Sequence, residues 1–555
     1  MFKKTLNLIT NELIKQFKKV STKIFLALIL VLAIAMPFAV KSFESREYNF
    51  WTQNNKNELS NIESEISRIE KEIGAKKELG LIFRGIDKEV VSTKIEGNIS
   101  YDWRNESLEE YRQLRYEEEA MKAVVNKYKK KDIQETAYMI EPIKIEDYFY
   151  QSKEKLNKEI KKVSDKAKLT KEMVVKNDYL MNVSNKIKTR QDNIKEFDKQ
   201  IKELEKTLKK NPKNKEIPAK ILELKESIEQ ENKYIELDKF RLDNKVPYDD
   251  KDYRHRTLQS MEFALGTLNG KMVTEEEFLK NPQQYSHFGK TYDEYKTNFI
   301  DEQNRAKKQL DLGWYSVKNN IPMENYTVDS RSMVSNGFEI FVIIAGIVSI
   351  ILAGSIVSTE FSKGTVRLLL IRPVSRFKIL LSKLLAVLII GFGILVVSIS
   401  VYIAAVGAAY GFDAFSISSL KYVEGKVVEL GYFAYLIPKI LTSCVSVLFV
   451  TSLAFMLSTI AKNTAVAVGL SSILYLGSVP MSMILGTLKA GFLAQWVIGY
   501  MNLSMFNIME YFPIMMKEQY SVVLDPQTGV IQLLVLTVVF IIGAFISFTK
   551  TDIKN

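Results

Sequence analysis

The chain has 555 residues but a single cysteine, Cys444, and only two histidines, His255 and His287. One cysteine excludes an internal disulfide framework, which favours a bacterial surface protein stabilised by helix packing over a disulfide-stapled ectodomain. The histidines have neither paired cysteines nor an H-E-x-x-H spacing, so a zinc site is not expected. We therefore predict no metal or cofactor site within this chain.

A phosphate-binding loop is also missing. The nearest candidate, residues 266–271, has the wrong spacing and is followed by Met272 where the motif needs serine or threonine. The carboxylates of the central region alternate with lysines along predicted helices, which is typical of solvated helix faces rather than of a catalytic site. The sequence thus predicts a non-catalytic protein and not an enzyme.

Long apolar runs are what the chain does have. A membrane-spanning helix needs about 20 apolar residues, and six segments satisfy this: Ile24–Val40, Phe338–Val357, Leu384–Tyr410, Ile440–Ile460, Thr464–Thr487 and Ile531–Phe548. The only acidic or basic residue within them is Glu339, at the outer edge of the second. Proton- or ion-driven transporters normally need such residues near the midplane. If the chain transports, its energy is expected to come from another chain.

The first apolar run is interpreted as a span rather than as a signal peptide. No small-residue cleavage site follows it; Phe43, Glu44 and Arg46 do. An amphipathic stripe at helical spacing precedes it, with lysines on the other faces, so residues 1–23 are predicted to form a helix in the inner membrane interface. A frayed cytosolic tail is the alternative for these residues.

The distribution of charge sets the predicted topology. Residues 41–337 hold 57 Lys and Arg against 55 Asp and Glu, whereas the rest of the chain holds 20 against 10. This basic surplus lies in segments expected in the cytosol, as topology signals rather than a nucleic-acid patch. The prediction is a multi-pass protein of the bacterial cell membrane with both termini cytoplasmic and residues 41–337 extracellular. Residues 488–530 are also expected outside, as a possible re-entrant or interfacial hairpin.

The predicted extracellular domain is mostly helical. Apolar residues repeat at steps of three and four between Leu59 and Ile73 and again between Ile194 and Leu208, a period typical of coiled coils. The Asn211-Pro212 break predicts an antiparallel hairpin over about residues 190–245. Glu231 and Asp238 fall where the seam needs apolar residues, so looser pairing is expected there. Residues 248–335 are predicted to form a smaller mixed cap. The fold class is therefore an all-α membrane protein with six transmembrane helices and a large, coiled-coil-rich domain after the first.

The loop between the second and third spans, residues 358–383, is strongly basic. One acid, Glu360, stands among six cations: Lys363, Arg367, Arg372, Arg376, Lys378 and Lys383. A short cation-rich loop belongs in the cytoplasm. Thr359–Ile371 is predicted to form an interfacial helix that ends before Pro373, and the next helix is expected to begin at Val374. Two stiff elements around a sharp break can carry a push from a soluble partner into the membrane, although the same cations could merely set topology.

The residue order in this loop resembles the segment after the second span in ABC-2 type transporter permeases. The resemblance is carried by Glu360, Gly364, Thr365, Arg367, Leu368, Leu369, Pro373, Ser375 and Arg376. In that family the segment is a coupling helix that docks on a separate ATPase. The resemblance therefore implies that Glu360, Gly364, Thr365, Arg367, Pro373 and Arg376 are ATPase-coupling residues, with ATP and Mg held by the partner ATPase. It covers residues 1–40 and 338–550.

The leading hypothesis is the permease subunit of an ATP-driven ABC exporter, acting as a homodimer or heterodimer with a separate ATPase. Span walls rich in small residues, such as Gly391 and Gly407, favour an amphipathic or lipophilic cargo, for example an antimicrobial peptide. The alternative is an ABC-powered signal transmitter whose extracellular coiled coil controls a cell-wall enzyme or another surface partner. A third interpretation is an adhesion or receptor protein without an ATPase. Membrane lipid is an expected partner and nucleic acid is not.

Overall fold

The computed structural model describes residues 2–43, 49–99, 102–212, 214, 216–366, 374–508 and 512–550. The chain is mostly helical, at 81%. It divides into two compact units, residues Phe43–Leu265 and the combination of Met1–Ser42 with Gly266–Asn555. We call the first the helical unit and the second the span unit. The predicted domain of residues 41–337 thus extends past the helical unit at its C-terminal end.

The helical unit is a series of helices joined by short turns. They are α3 (Asn49–Ile69), α4 (Ala75–Glu96), α5 (Trp103–Val125), α6 (Lys130–Thr136), α7 (Pro142–Phe149), α8 (Lys153–Lys176), α9 (Tyr179–Lys210), α10 (Glu216–Asp243) and most of α11 (Tyr253–Leu268). Three of these helices begin after an aspartate or serine, the residue types that commonly cap the free N–H groups at a helix N-terminus. Asp102, Ser152 and Asp178 each accept a hydrogen bond from the first turn of the helix that follows.

One core of the helical unit is built around a buried carboxylate. Asp87 is 1% exposed and accepts hydrogen bonds from Tyr116 and Tyr138, both at 3.0 Å, and from Arg84 at 2.9 Å. Phe83 packs on the Tyr116 ring at 4.8 Å. Because a buried charge is tolerated when it is paired and hydrogen-bonded, these donors let an acid lie within an otherwise apolar core.

Helices α9 and α10 form the predicted antiparallel hairpin. Ile187 lies in one cluster with Ile235, and Arg190 contacts Glu231 at 2.7 Å. A later residue of α9 thus meets an earlier residue of α10, so the two helices run antiparallel. Asn193 also donates to Glu231, at 2.9 Å. The hairpin prediction is confirmed.

The predicted loosening at Glu231 and Asp238 is wrong. Asp238 is 2% exposed and is paired with Arg241 at 2.6 Å and with Arg190 at 3.6 Å. Arg241 in turn binds Glu262 at 2.8 Å. The two acids therefore belong to an ion-pair network at the base of the hairpin, in which Asp238 and Arg241 are buried and Arg190 and Glu231 are partly exposed. Cations from α9 and α10 compensate the charge of both acids.

Among its described residues, the span unit contains five helices that are long and apolar enough to cross a membrane: Val20–Ser42, Ser330–Ser362, Arg376–Tyr410, Tyr432–Ile460 and Pro526–Lys550. The corresponding elements are α2 (Val20–Phe43), α14 (Ser330–Ile356) with α15 (Ser358–Ser362), α16 (Arg376–Tyr410), α17 (Tyr432–Ile460) and α23 (Pro526–Lys550). Each contains a predicted span. Helix α14 packs against α16 and α17, and α17 packs against α23.

The predicted fifth span, Thr464–Thr487, is not one straight helix. It consists of α18 (Thr464–Leu476) and α19 (Ser478–Thr487), bent by 63° at Gly477. Pro480 lies in the first turn of α19, where its missing N–H and its ring oppose a continuous helix. The break was not predicted from the sequence. The described residues contain five candidate spans, or six if the bent pair crosses, so the sixth span stays a prediction.

Short helices follow the bent pair: α20 (Gly491–Trp496), a 3₁₀ turn (Ile498–Tyr500), α21 (Ser504–Ile508) and α22 (Phe512–Tyr520). Their apolar side chains enter the same core as the spans; Tyr500, Phe512 and Met516 are almost completely buried. Irregular backbone inside a membrane is tolerated where protein covers it. The predicted hairpin of residues 488–530 is thus a set of packed short helices, and its depth stays a prediction.

Within the span unit, residues 266–337 contact a β-hairpin that was not predicted from the sequence. Strand β1 (Ser419–Val423) pairs antiparallel with β2 (Lys426–Leu430) across a Glu424-Gly425 turn in which both residues have positive φ, as a type I′ turn requires. Tyr422 on β1 donates to Asp311 at 2.9 Å, and Tyr315 donates to Glu429 on β2 at 2.8 Å. Asp311 and Tyr315 lie on α13 (Tyr292–Asn319), which follows α12 (Glu275–Lys280).

The predicted N-terminal helix is present as α1 (Phe2–Phe17), separated from α2 by a short turn, and its position in the membrane interface stays a prediction. It packs against α16. Leu6, Ile14 and Phe17 remain exposed, at 52%, 48% and 44%, as expected of an amphipathic helix whose apolar side faces lipid.

Candidate functional site

The candidate site is built where α14 ends. Ser358 stops the long helix and fixes the turn that follows, because its hydroxyl donates to the Gly354 carbonyl at 2.6 Å and lies 2.7 Å from the Thr464 hydroxyl. Its backbone N–H donates to the Ser458 hydroxyl at 2.9 Å. Helix α15 is therefore anchored to both α17 and α18 before it reaches Glu360.

Glu360 is the centre of a charged network. It is 7% exposed. Its Oε1 accepts from the Nζ of Lys15 on α1 and lies 3.5 Å from the Nζ of Lys383 on α16. Its Oε2 accepts from the Thr365 hydroxyl. Lys383 also donates to Glu12 Oε1 at 3.0 Å. We call Glu12, Lys15, Glu360, Thr365 and Lys383 the loop network; it links α1, the loop after α14, and α16.

Lys383 is the key cation of the loop network because its side chain is only 2% exposed. A lysine in that position is stable only when acids and hydrogen bonds compensate its charge. Lys15 is 53% exposed on its side chain, so its contact with Glu360 contributes less. A displacement of the loop must therefore move α1 and α16 or break a buried ion pair.

Gly364 ends α15. Its φ is +68°, a left-handed conformation that favours glycine, and a Cβ there would meet no atom within 4 Å. The helix predicted over Thr359–Ile371 is thus interrupted at this glycine, and residues 367–371 lie outside the described residues. Backbone conformation, rather than close approach within the chain, explains the glycine.

Arg376 begins α16, two residues after the predicted start at Val374. Its Nη1 donates to the Thr549 carbonyl at 3.1 Å, and the neighbouring Phe377 ring packs on Phe545 at 4.8 Å. Both contacts are with the end of α23. The second half of the loop is therefore attached to the last span.

The structure brings together only part of the predicted site. Glu360, Gly364 and Thr365 lie in one turn, and Arg376 lies at the start of the next helix. Arg367 and Pro373 lie outside the described residues. Their assignment as coupling residues stays a prediction.

Sequence reasoning missed Glu12, Lys15 and Lys383 as members of this site. Lys383 was counted among the loop cations although it stands inside an apolar stretch, Ile379–Val387, and that position was the available signal. Glu12 and Lys15 are one turn apart on α1 and are more than 340 positions from their partners. Their spacing contains no information about that pairing.

A second polar cluster lies inside the span unit, around Glu339. This residue, predicted at the outer edge of its span, is 1% exposed. Its Oε1 accepts from the Ser443 hydroxyl at 2.8 Å and from the Asn507 amide, and Asn507 also donates to Ser443 at 3.1 Å. The Glu339 Oε2 has no partner among the described residues. The cluster joins α14, α17 and α21.

Replacing Glu339 with leucine is expected to lower the stability of the span unit by about 2–4 kcal/mol, because the Ser443 and Asn507 donors lose their buried acceptor. The matched variant Glu339→Gln keeps an acceptor oxygen and removes the charge, so its loss is expected to be below about 1 kcal/mol. Thermal unfolding of both variants in detergent measures the difference. Equal losses would show that the charge and not the hydrogen-bond acceptor stabilises the cluster.

Within the described part of the chain, no group of three or more His, Cys, Asp or Glu side chains is arranged to hold a metal ion.

Comparison with known proteins gives the family. Residues 136–553 match the sequence profile of ABC-2 family transporter proteins. The chain is also 32% identical to the uncharacterized protein YhcI of Bacillus subtilis (strain 168) over 259 residues, which is 45% of this chain and 77% of YhcI. No solved structure is significantly similar to the chain. The profile match covers three quarters of the sequence and includes Glu360, so the chain belongs to the ABC-2 family of transporter proteins.

Proposed function

We propose that this chain is the membrane subunit of an ATP-driven ABC exporter, in which a separate ATPase subunit pushes on the loop after α14. The observation that carries the proposal is the loop network. Glu360 and Lys383 connect the loop to α1 and α16, so force applied to the loop reaches two membrane-associated helices through short, partly buried contacts. ATP and Mg would be bound by the ATPase.

In this proposal the loop and both termini lie in the cytoplasm, and the helical unit lies outside the cell. The basic loop supports this orientation through the positive-inside bias. Two copies of the chain, identical or related, would work with two ATPase subunits.

The proposed cargo is an amphipathic or lipophilic molecule such as a membrane-active peptide. The support is compositional, because the span walls are almost free of ionisable groups. The small residues add less. Gly391 lies against Ser349 and Gly407 against Phe412 so closely that an added Cβ would be 2.3 Å from either neighbour. Gly391 is therefore a packing position between α14 and α16, and Gly407 makes room for the connection that follows α16.

A second function is a signal transmitter that moves the helical unit without transporting cargo. The observation that favours it is the α9–α10 hairpin, whose base is stiffened by the partly buried pair of Arg190 with Glu231 and the buried pair of Arg241 with Asp238. A rigid hairpin of this kind can pass movement of the spans to an extracellular enzyme.

Purification of the tagged chain from its native host should recover a soluble ATPase. The rate of ATP hydrolysis by the complex should fall when a residue of the loop network is replaced. Failure to recover any nucleotide-binding subunit would favour an anchored receptor or adhesion protein instead.

Shortening the hairpin separates export from signalling. Residues 195–227 would be replaced by a four-residue Gly-Ser linker between positions that face each other, since Arg190 pairs with Glu231 and packed helices lie about 8–10 Å apart. This replacement keeps the ion pairs among Arg190, Glu231, Asp238 and Arg241 at the base of the hairpin. Peptide resistance is expected to survive if it depends on export; its loss, with ATPase association retained, would favour the signalling function.

A further inference from the structure

A cleft of about 520 Å³ lies beside the loop network, between α1 and the turn that contains Glu360. Its charged lining comes from both sides: Glu12 and Lys15 on α1 with Lys19 in the turn after it, and Glu360 and Lys363 on the loop. The cleft thus lies between two elements that the loop network already connects.

The charges around the cleft do not balance. Lys15 and Lys383 are paired with Glu360 and Glu12, whereas Lys19 and Lys363 have no ion-pair partner among the described residues. Partial burial lowers the pKa of Lys19, and the nearby Lys15 and Lys383 lower it further. The cleft therefore holds an excess positive charge that a bound anion would compensate.

A buried polar group in the cleft also lacks a partner. Gln16 lines it and is 1% exposed, yet its Oε1 makes no hydrogen bond within the described residues. Buried side-chain amides are normally hydrogen-bonded, and a glutamine amide can turn either its oxygen or its NH₂ group towards a neighbour. A ligand with hydrogen-bonding oxygens would satisfy this side chain together with the lysines.

The position of α1 indicates the source of the anion. Its exposed apolar residues, such as Ile14 and Phe17, suit contact with acyl chains, which places the polar face of the helix and the cleft at the level of lipid headgroups. Basic pockets at that level bind anionic headgroups.

We propose that the cleft binds the phosphate of an anionic phospholipid headgroup, with Lys19 and Lys363 as its direct partners and the Gln16 amide as a third contact. The bound lipid holds α1 against the loop and so supports the network around Glu360. This proposal concerns the membrane surface and does not depend on export.

The test uses the purified full-length chain in detergent, titrated with phosphatidylglycerol or phosphatidylcholine and followed by native mass spectrometry and thermal unfolding. The wild type is expected to retain phosphatidylglycerol selectively and to unfold at a higher temperature with it. The double variant Lys19→Gln/Lys363→Gln should bind it about 10-fold more weakly. Its unfolding without lipid should match the wild type, because neither lysine has an ion-pair partner among the residues that the structure describes.

The matched control is Lys18→Gln/Lys23→Gln, which removes the same charge from exposed positions near the same helix that do not line the cleft. This variant should bind phosphatidylglycerol like the wild type. Equal weakening in both double variants would mean diffuse attraction and would overturn the site. Inorganic phosphate that stabilises the wild type as well as the lipid does would overturn the lipid as the ligand.

Discussion

Reversing the charge of both Arg367 and Arg376 to glutamate is expected to abolish association with the ATPase subunit while leaving membrane insertion intact. The reason is that two cations at the proposed docking surface become anions, and like-charge contacts at an interface cost several kcal/mol. Co-purification of the ATPase with the tagged variant measures the effect. Normal association of the double variant would contradict the coupling assignment and would show that these cations only set the membrane topology.

Arg376 needs its own control, because it also donates to the Thr549 carbonyl at 3.1 Å. Arg376→Gln keeps a side-chain N–H donor for that contact and removes the charge. If the glutamine variant associates nearly normally and the double reversal does not, charge at the docking surface is responsible. The control Lys18→Glu/Lys23→Glu applies the same charge change to the N-terminal segment and should leave association intact.

Replacing Lys383 with methionine is expected to lower stability by about 3–5 kcal/mol, because Glu12 loses its buried cation and Glu360 keeps only the half-exposed Lys15. ATP-driven activity should fall in parallel, since the loop loses its direct contact with α16. Thermal unfolding in detergent and ATPase stimulation by the chain measure the two effects.

A compensating variant makes this prediction specific. Glu12→Gln, added to Lys383→Met, removes the stranded negative charge and should recover part of the lost stability. The matched control is Lys378→Met on the same helix, outside the loop network, which should behave like the wild type. A Lys383→Met variant as stable as the control would show that the buried pair is not structurally important.

The predicted spans agreed with the structure because hydropathy is a property of local sequence. A membrane-length helix satisfies its own backbone hydrogen bonds, so Leu384–Tyr410 can be recognised without knowing its neighbours. Hydropathy did not predict the 63° bend at Gly477, because it depends on composition and not on helix geometry. Pro480 was the available signal. The β-hairpin around Glu424-Gly425 was missed for a different reason: its strands lie in a short connection between two strong span signals.

The polar residues were harder to assign. Looser helix pairing was predicted at Glu231 and Asp238 because they interrupt an apolar seam. In the structure Arg190 and Arg241 pair with them. Glu339 looked like an edge residue and is buried by Ser443 and Asn507. Arg241 lies only three residues from Asp238, but Arg190, Ser443 and Asn507 are distant in sequence from the acids that they contact. The cost of burying those acids therefore cannot be judged from the local pattern.

The sequence by itself determined the family, the apolar helices and the position of the loop around Glu360, because periodicity, hydropathy and motif order are written in consecutive residues. Only the tertiary structure decided which charges pair. Lys15 and Glu360 are 345 positions apart and Glu12 and Lys383 are 371 apart, and an ion pair depends on distance and burial in space. The link between the loop and its two neighbouring helices therefore exists only once the chain has folded.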